Sequence, residues 1–209
     1  MIACRLCPRL VAFREQAAAQ PKPAYAGQTY WARPVPGFGD PDAGVYVLGL
    51  ATAAHGGNRT GRAFTGNATA DWLVAALHRA GLANQPTSAH RGDGLRLSGV
   101  WAASAVRCAP PADRPTAGER RTCARFLDAE LAALSRVRVI VALGALAWSA
   151  AAEWAGIRPR PPFGHGREQV LPGGRTLLGC YHPSPQNTRT GRLTAAMLDE
   201  ILARARTLA

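Results

Sequence analysis

The chain reads as an α/β protein built on a parallel sheet with helices on both faces. Three observations lead there. Four apolar runs, at 45–51, 97–106, 137–143 and 176–181, have the length and composition of buried strands. Helical stripes lie between them, and strands that alternate with helices form parallel sheets. Three polar loops, at 51–67, 104–116 and 182–191, each follow the end of a strand. Open α/β sheets bind their ligands at that carboxyl edge, so three loops there predict one site.

Each element has a local reason. Residues 1–20 hold a cysteine pair followed by a short helix with Leu10, Val11 and Phe13 apolar. Residues 21–44 are rich in Pro, Gly and aromatics and predict an irregular, ordered segment. The first strand, 45–51, opens the glycine-rich loop HGGNRTGRAFTGN at 55–67. A helix follows over 68–80, with Trp72, Leu73, Ala76 and Leu77 in a stripe and Asn67 at its N-cap position. The second strand, 97–106, ends at Arg107-Cys-Ala-Pro-Pro111. Thr116 and Glu119 form a capping-box pattern that opens a helix running to about Leu134. The third strand, 137–143, leads into a helix over 144–154, and a Pro/Gly-rich connection covers 159–174. The fourth strand, 176–181, meets the loop HPSPQNTRTG, and 193–208 is the closing helix. The chain of 209 residues is expected to be one domain, with an N-terminal metal-binding segment over about 1–44.

The charge balance narrows the partners. The formal net charge is +12, and Lys22 is the only lysine among 25 basic residues. A bias toward arginine codons would enrich arginine without producing the excess over acids. Arginine's planar fork suits phosphate and base edges, so the first partner expected is nucleic acid. The N-terminus, MIACRLCPRL, has no long apolar stretch, and the uncharged run 139–152 is too short to span a bilayer. The reading is a soluble, cytoplasmic, nucleoid-associated monomer with no membrane partner.

There are five cysteines, an odd number that argues against a disulfide framework. Cys4 and Cys7 form a C-x-x-C pair that can hold one metal centre from a single turn. Cys108 and Cys123 are plausible third and fourth ligands. Cys180 lies inside an apolar strand and reads as a small core residue.

The loops carry chemistry-bearing residues. Glycines at 49–66 let backbone approach a ligand closely, Arg59 and Arg62 add charge, and Phe64 offers a flat apolar face. No P-loop pattern is present. His182 comes straight off a strand end, where a neutral imidazole can donate to an anionic leaving group. Pro183 and Pro185 stiffen the backbone around Ser184, which suits phosphate contact or insertion into a duplex. The plainer alternatives are a core Phe64 and a strand-to-helix turn with a satisfied histidine.

Three stretches, GLATAAHGGNRTGRAFTG (49–66), AVRCAPPADRPT (105–116) and HPSPQNTRTGRL (182–193), resemble motifs of the uracil-DNA glycosylase superfamily. ACRLCPRL (3–10) and YWARPVPGFGDP (30–41) resemble its iron–sulfur branch, family 5, the UDGb type. The resemblance spans nearly the whole chain. It implies a three-layer α/β/α sandwich with a four-stranded parallel sheet. It also implies a [4Fe-4S] cluster on Cys4, Cys7, Cys108 and Cys123; zinc would accept the same four thiolates. The implied activity is excision of uracil, with hypoxanthine and xanthine as further bases, from double-stranded or single-stranded DNA. The base is flipped out of the stack and its glycosidic bond hydrolysed.

In that reading His182 stabilises the leaving base and Phe64 stacks on it. Ala51, Ala53, Ala54 and His55 contact the base edge. Gly56, Asn58, Arg59, Ser184, Gln186, Asn187 and Arg189 face DNA, with Gln186 and Asn187 as the wedge. Better-known relatives carry a carboxylate where Ala51 stands, as family 5 itself does not. Two departures concern family 5: Asn67 stands where it usually has aspartate, and Asp113 where it usually has asparagine. Either the pair is swapped, with Asp113 as the carboxylate and Asn67 as the amide, or Asn67 is only a helix cap and Asp113 a solvated residue. Lys22, the sole lysine, lies in a Pro-rich stretch away from the three loops, so no Schiff base is expected and the enzyme should be monofunctional. Two other readings stand beside this one: a catalytically weak iron–sulfur DNA-binding protein on the same fold, and an α/β enzyme acting on small phosphorylated molecules.

Overall fold

The computed structural model describes residues 1–209. Its central strands are β2 (Val45–Ala51), β3 (Val100–Val106), β4 (Val139–Leu143) and β6 (Thr176–Cys180). They pair in parallel in the spatial order β3-β2-β4-β6. The expected four-stranded parallel core is therefore present. Two short strands extend it: β1 (Phe38–Gly39) runs antiparallel along β3, and β5 (Glu168–Val170) antiparallel along β6. The sheet has six strands, not four. Elements of two and three residues are too short to show a period in sequence.

Both faces are covered because the strand residues alternate between two apolar layers. Val45 and Val47 join Leu73, Val74 and Leu77 of α3 (Ala68–Arg79) and Leu198, Ile201 and Leu202 of α7 (Ala195–Leu208). Tyr46 and Leu48 join Leu127 and Leu131 of α4 (Ala117–Ala133) and Ala147, Trp148 and Ala151 of α5 (Ala145–Trp154). The expected caps are in place. Asn67 Oδ1 accepts from Ala70 N–H at 2.9 Å, and Thr116 and Glu119 bond reciprocally across the first turn of α4.

The N-terminal segment is tied to this body by ion pairs. α1 (Pro8–Ala19) begins directly after Cys7. From its first turn, Arg9 makes a two-pronged contact with Glu119 at 2.8 and 2.7 Å. A small apolar cluster of Leu10, Val106 and Cys123 closes the seam. No helix is long and apolar enough to cross a membrane.

Candidate functional site

A pocket of about 460 Å³ opens at the carboxyl ends of the parallel strands. Each of its walls comes from a strand-end loop. After β2 come Ala51, Thr52, Ala53 and Phe64; after β3, Asp113; after β6, His182 and Ser184. Gly49 lets the Phe64 ring lie against β2, since a Cβ there would stand 2.9 Å from Phe64 Cζ. Phe64 itself has φ +47°, a strained conformation for an aromatic residue that aims its ring at the cavity wall. Ala112 and Asp113 are also left-handed, at +51° and +54°. Two of these three, Phe64 and Asp113, line the pocket, and strained backbone of this kind clusters at functional sites.

His182 is held by its backbone. Its carbonyl accepts from Ser184 N–H and from Asn187 Nδ2, both at 2.8 Å. Burial holds the imidazole below its ordinary pKa, and the Asp113 charge pulls it partly back. The ring is therefore neutral at pH 7 and keeps an N–H for a ligand in the cavity. Asp113 is exposed to solvent and lines the same pocket. Asn67 lines it too, but its Oδ1 is engaged in the cap, which leaves the amide NH₂ as its free group.

Several expected contacts lie elsewhere. Asn58 is fully buried and donates to the Arg14 carbonyl at 3.1 Å, so it offers DNA nothing. Gly56 is buried as well, because a Cβ there would fall 2.3 Å from Asn67 Nδ2. Arg59 is turned inward: it donates to His55 O, Gln28 Oε1 and Gly66 O, and stacks over Tyr25 at 4.1 Å. Arg62 is buried against Asp93. Asn187 Nδ2 donates to the His182 carbonyl within its own loop. His55 meets Tyr30 Oη at 2.9 Å and stacks on Tyr25, and neither it nor Ala54 lines the pocket. Lys22 was expected far from the loops, yet its charge reaches His55 and helps depress that pKa, behind burial. Gln186 and Arg189 remain exposed on the short helix α6 (Pro185–Arg189).

A fourth wall was missed in sequence. Leu143, Gly144, Ala145 and Leu146, at the junction of β4 and α5, also line the pocket. Leu146 is 56% exposed there. The signal was present: this junction leaves the same sheet edge, but Gly-Ala-Leu-Ala carries no polar group to draw notice.

A second, small cavity is lined by Cys4, Cys7, Cys108 and Cys123, with Leu6, Leu10, Val11 and Phe126 around them. Cys180 is buried in β6, apart from this group. No three ligating side chains close in tightly enough for a single metal ion. Four thiols around one cavity are a donor set that either an iron–sulfur cluster or zinc accepts. The surroundings are built for anionic sulfur. Arg14 Nη1 donates to Cys108 Sγ at 3.0 Å, and the Arg107 backbone N–H donates to Cys123 Sγ at 3.3 Å. As free thiols these groups resist ionisation; burial pushes Cys123 up to about 11. Arg14 is 2% exposed, has no carboxylate partner and leaves its Nε unbonded. A buried cation without an anion is costly, and an anionic centre held by the four cysteines would offset that cost.

The comparisons with known proteins agree with this geometry. The model of the uracil DNA glycosylase superfamily matches residues 36–206. The chain belongs to the uracil-DNA glycosylase superfamily. It is 54% identical over 210 residues to the type-5 uracil-DNA glycosylase of Thermus thermophilus, covering 100% of this chain and 95% of that protein. It is 49% identical over 205 residues to the type-5 enzyme of Pyrobaculum aerophilum, covering 98% and 88%. A type-4 uracil-DNA glycosylase of Thermotoga maritima is 30% identical over 146 residues, covering 69% and 67%. For this superfamily member the site is thus a pocket at the sheet edge beside a four-cysteine cavity.

Proposed function

We propose that the chain is a monofunctional DNA glycosylase that excises uracil, and the roomier deaminated purines hypoxanthine and xanthine, as a step in DNA repair. The observation that carries the reading is the joint lining of one pocket by Phe64, His182 and Asp113 at the carboxyl edge of the sheet. The names of its type-5 relatives support it.

A flipped base enters the pocket and stacks on Phe64. The N-glycosidic bond breaks and its electron pair leaves with the base. The neutral His182 N–H stabilises the resulting anion. Water adds its hydroxyl to C1′ of the sugar, and its remaining proton ends on the base. Asp113 supplies the carboxylate that orients that water, and the Asn67 NH₂ donates to the base. Pocket-lining Ala51 and Ala53 leave room for a purine. The pocket lining contains no lysine, which supports a reaction without a Schiff base.

Residues 1–209 act as one domain whose N-terminal segment helps hold a [4Fe-4S] cluster on Cys4, Cys7, Cys108 and Cys123. Such a cluster supplies a fixed anionic centre that orders the segments holding it. Exposed arginine supplies the salt-dependent affinity for DNA, double- or single-stranded.

Single-turnover excision from a uracil-containing oligonucleotide tests the reading. His182→Ala should slow excision by about 10²–10³-fold with DNA affinity kept. Equal rates in the variant and the parent would overturn it.

A further inference from the structure

We infer that Arg14 and Asn58 form a positioning link between the four-cysteine centre and the base pocket. The inference rests on the cluster reading above. The link runs through a chain of hydrogen bonds. The Arg14 guanidinium donates to Cys108 Sγ at 3.0 Å and to the Cys4 carbonyl at 3.3 Å. The Arg14 carbonyl, on the same residue, accepts from Asn58 Nδ2 at 3.1 Å. Asn58 in turn sits in α2 (Gly57–Thr60), and its backbone N–H donates to the Ala53 carbonyl at 3.1 Å. Ala53 and Gly57 line the pocket.

The burial of both residues gives the link its rigidity. Asn58 is 0% exposed and Arg14 is 2% exposed. Neither can trade its partner for water without opening the core, and a lost partner leaves a buried polar group unsatisfied. Arg14 is also the one cation that bonds a cysteine sulfur of this centre through its side chain. It therefore does two things. Its charge favours the more anionic, reduced state of the centre. Its main chain fixes the loop that walls the base.

Two variants separate these effects from general damage. Asn58→Leu keeps the branching of the side chain and removes the donor. It should leave iron content and midpoint potential unchanged, speed amide exchange in residues 53–60, and lower single-turnover excision at least tenfold. Arg14→Met should shift the midpoint potential to more negative values and speed exchange in the same residues; Arg14→Lys, which keeps the charge, should restore the potential. Exchange at 53–60 unmoved by Asn58→Leu, or a potential unmoved by Arg14→Met, overturns the link. If Arg14→Met fails to fold, the Asn58→Leu exchange result and the Arg14→Lys potential decide. A parent protein that binds no iron sinks the cluster reading itself, which is a distinguishable failure.

Discussion

His182 has a ring that no other side chain hydrogen-bonds, in a pocket that buries most of it. Its folded pKa lies below the ordinary 6.5 because burial disfavours the imidazolium, with Asp113 opposing in part. Protonation therefore favours the unfolded chain. The stability this group contributes is complete above about pH 6.5 and declines as pH falls toward the folded value. Chemistry that uses the neutral ring follows the same sign. Single-turnover excision should be level from pH 7 upward and fall on an acid limb below 6.5; a limb centred above 6.5 would contradict the assignment. Asp113 carries a separate prediction. If it orients water, Asp113→Ala lowers the single-turnover rate by about 10²-fold or more, and an unchanged rate removes it from the mechanism. Asn67 joins parts of both sequence readings. It is a helix cap and a pocket wall at once, because capping uses only its carbonyl oxygen.

At the scale of elements, the loop after β2 is a folded piece, not a flexible strap. Arg62 makes two bonds to Asp93, at 2.8 and 2.7 Å, with both side chains under a tenth exposed. Burial pushes Asp93 upward, but Arg62 and three backbone N–H donors outweigh it and hold the carboxyl well below the usual range. Arg62→Met should destabilise the fold by about 3–5 kcal/mol, since it leaves Asp93 buried and unpaired. A urea midpoint that barely moves would show that the charge is not needed.

This loop also marks where sequence reading stops. The apolar runs, the caps and the capping box follow from local pattern, and each is where it was expected. The pocket residues at strand ends followed from the parallel sheet. What could not be read was the direction of a polar side chain. Arg59, Arg62, Asn58 and Asn187 look like ligands for DNA in a string of polar letters. Tertiary partners distant in sequence, Gln28, Asp93 and Arg14, turn three of them inward, and Asn187 bends back on His182. The apolar wall at Leu143–Leu146 failed the opposite test: it lines the site without any residue that names a chemistry.

For the whole molecule, two sites sit on one sheet edge and share a segment. The base pocket takes its walls from four strand ends. The cysteine cavity lies where the N-terminal helix meets the end of β3 and the start of α4. Arg107 joins this seam to the core. Its guanidinium pairs with Glu130 at 2.8 and 2.9 Å, its carbonyl accepts from Val35, and its backbone N–H bonds Cys123. The chain carries a net charge of +12, while the pocket lining holds no arginine or lysine and a single carboxylate, Asp113. That combination suits a polyanion held outside while one uncharged base is taken in. In the proposed reaction water replaces the base on its sugar without a covalent enzyme intermediate. Following the products from a single-uracil duplex in the presence of borohydride tests this. Free uracil and an unbroken abasic strand are expected, with no DNA trapped on the protein. Uracil left in place, or a protein–DNA adduct fixed by the reductant, would contradict it.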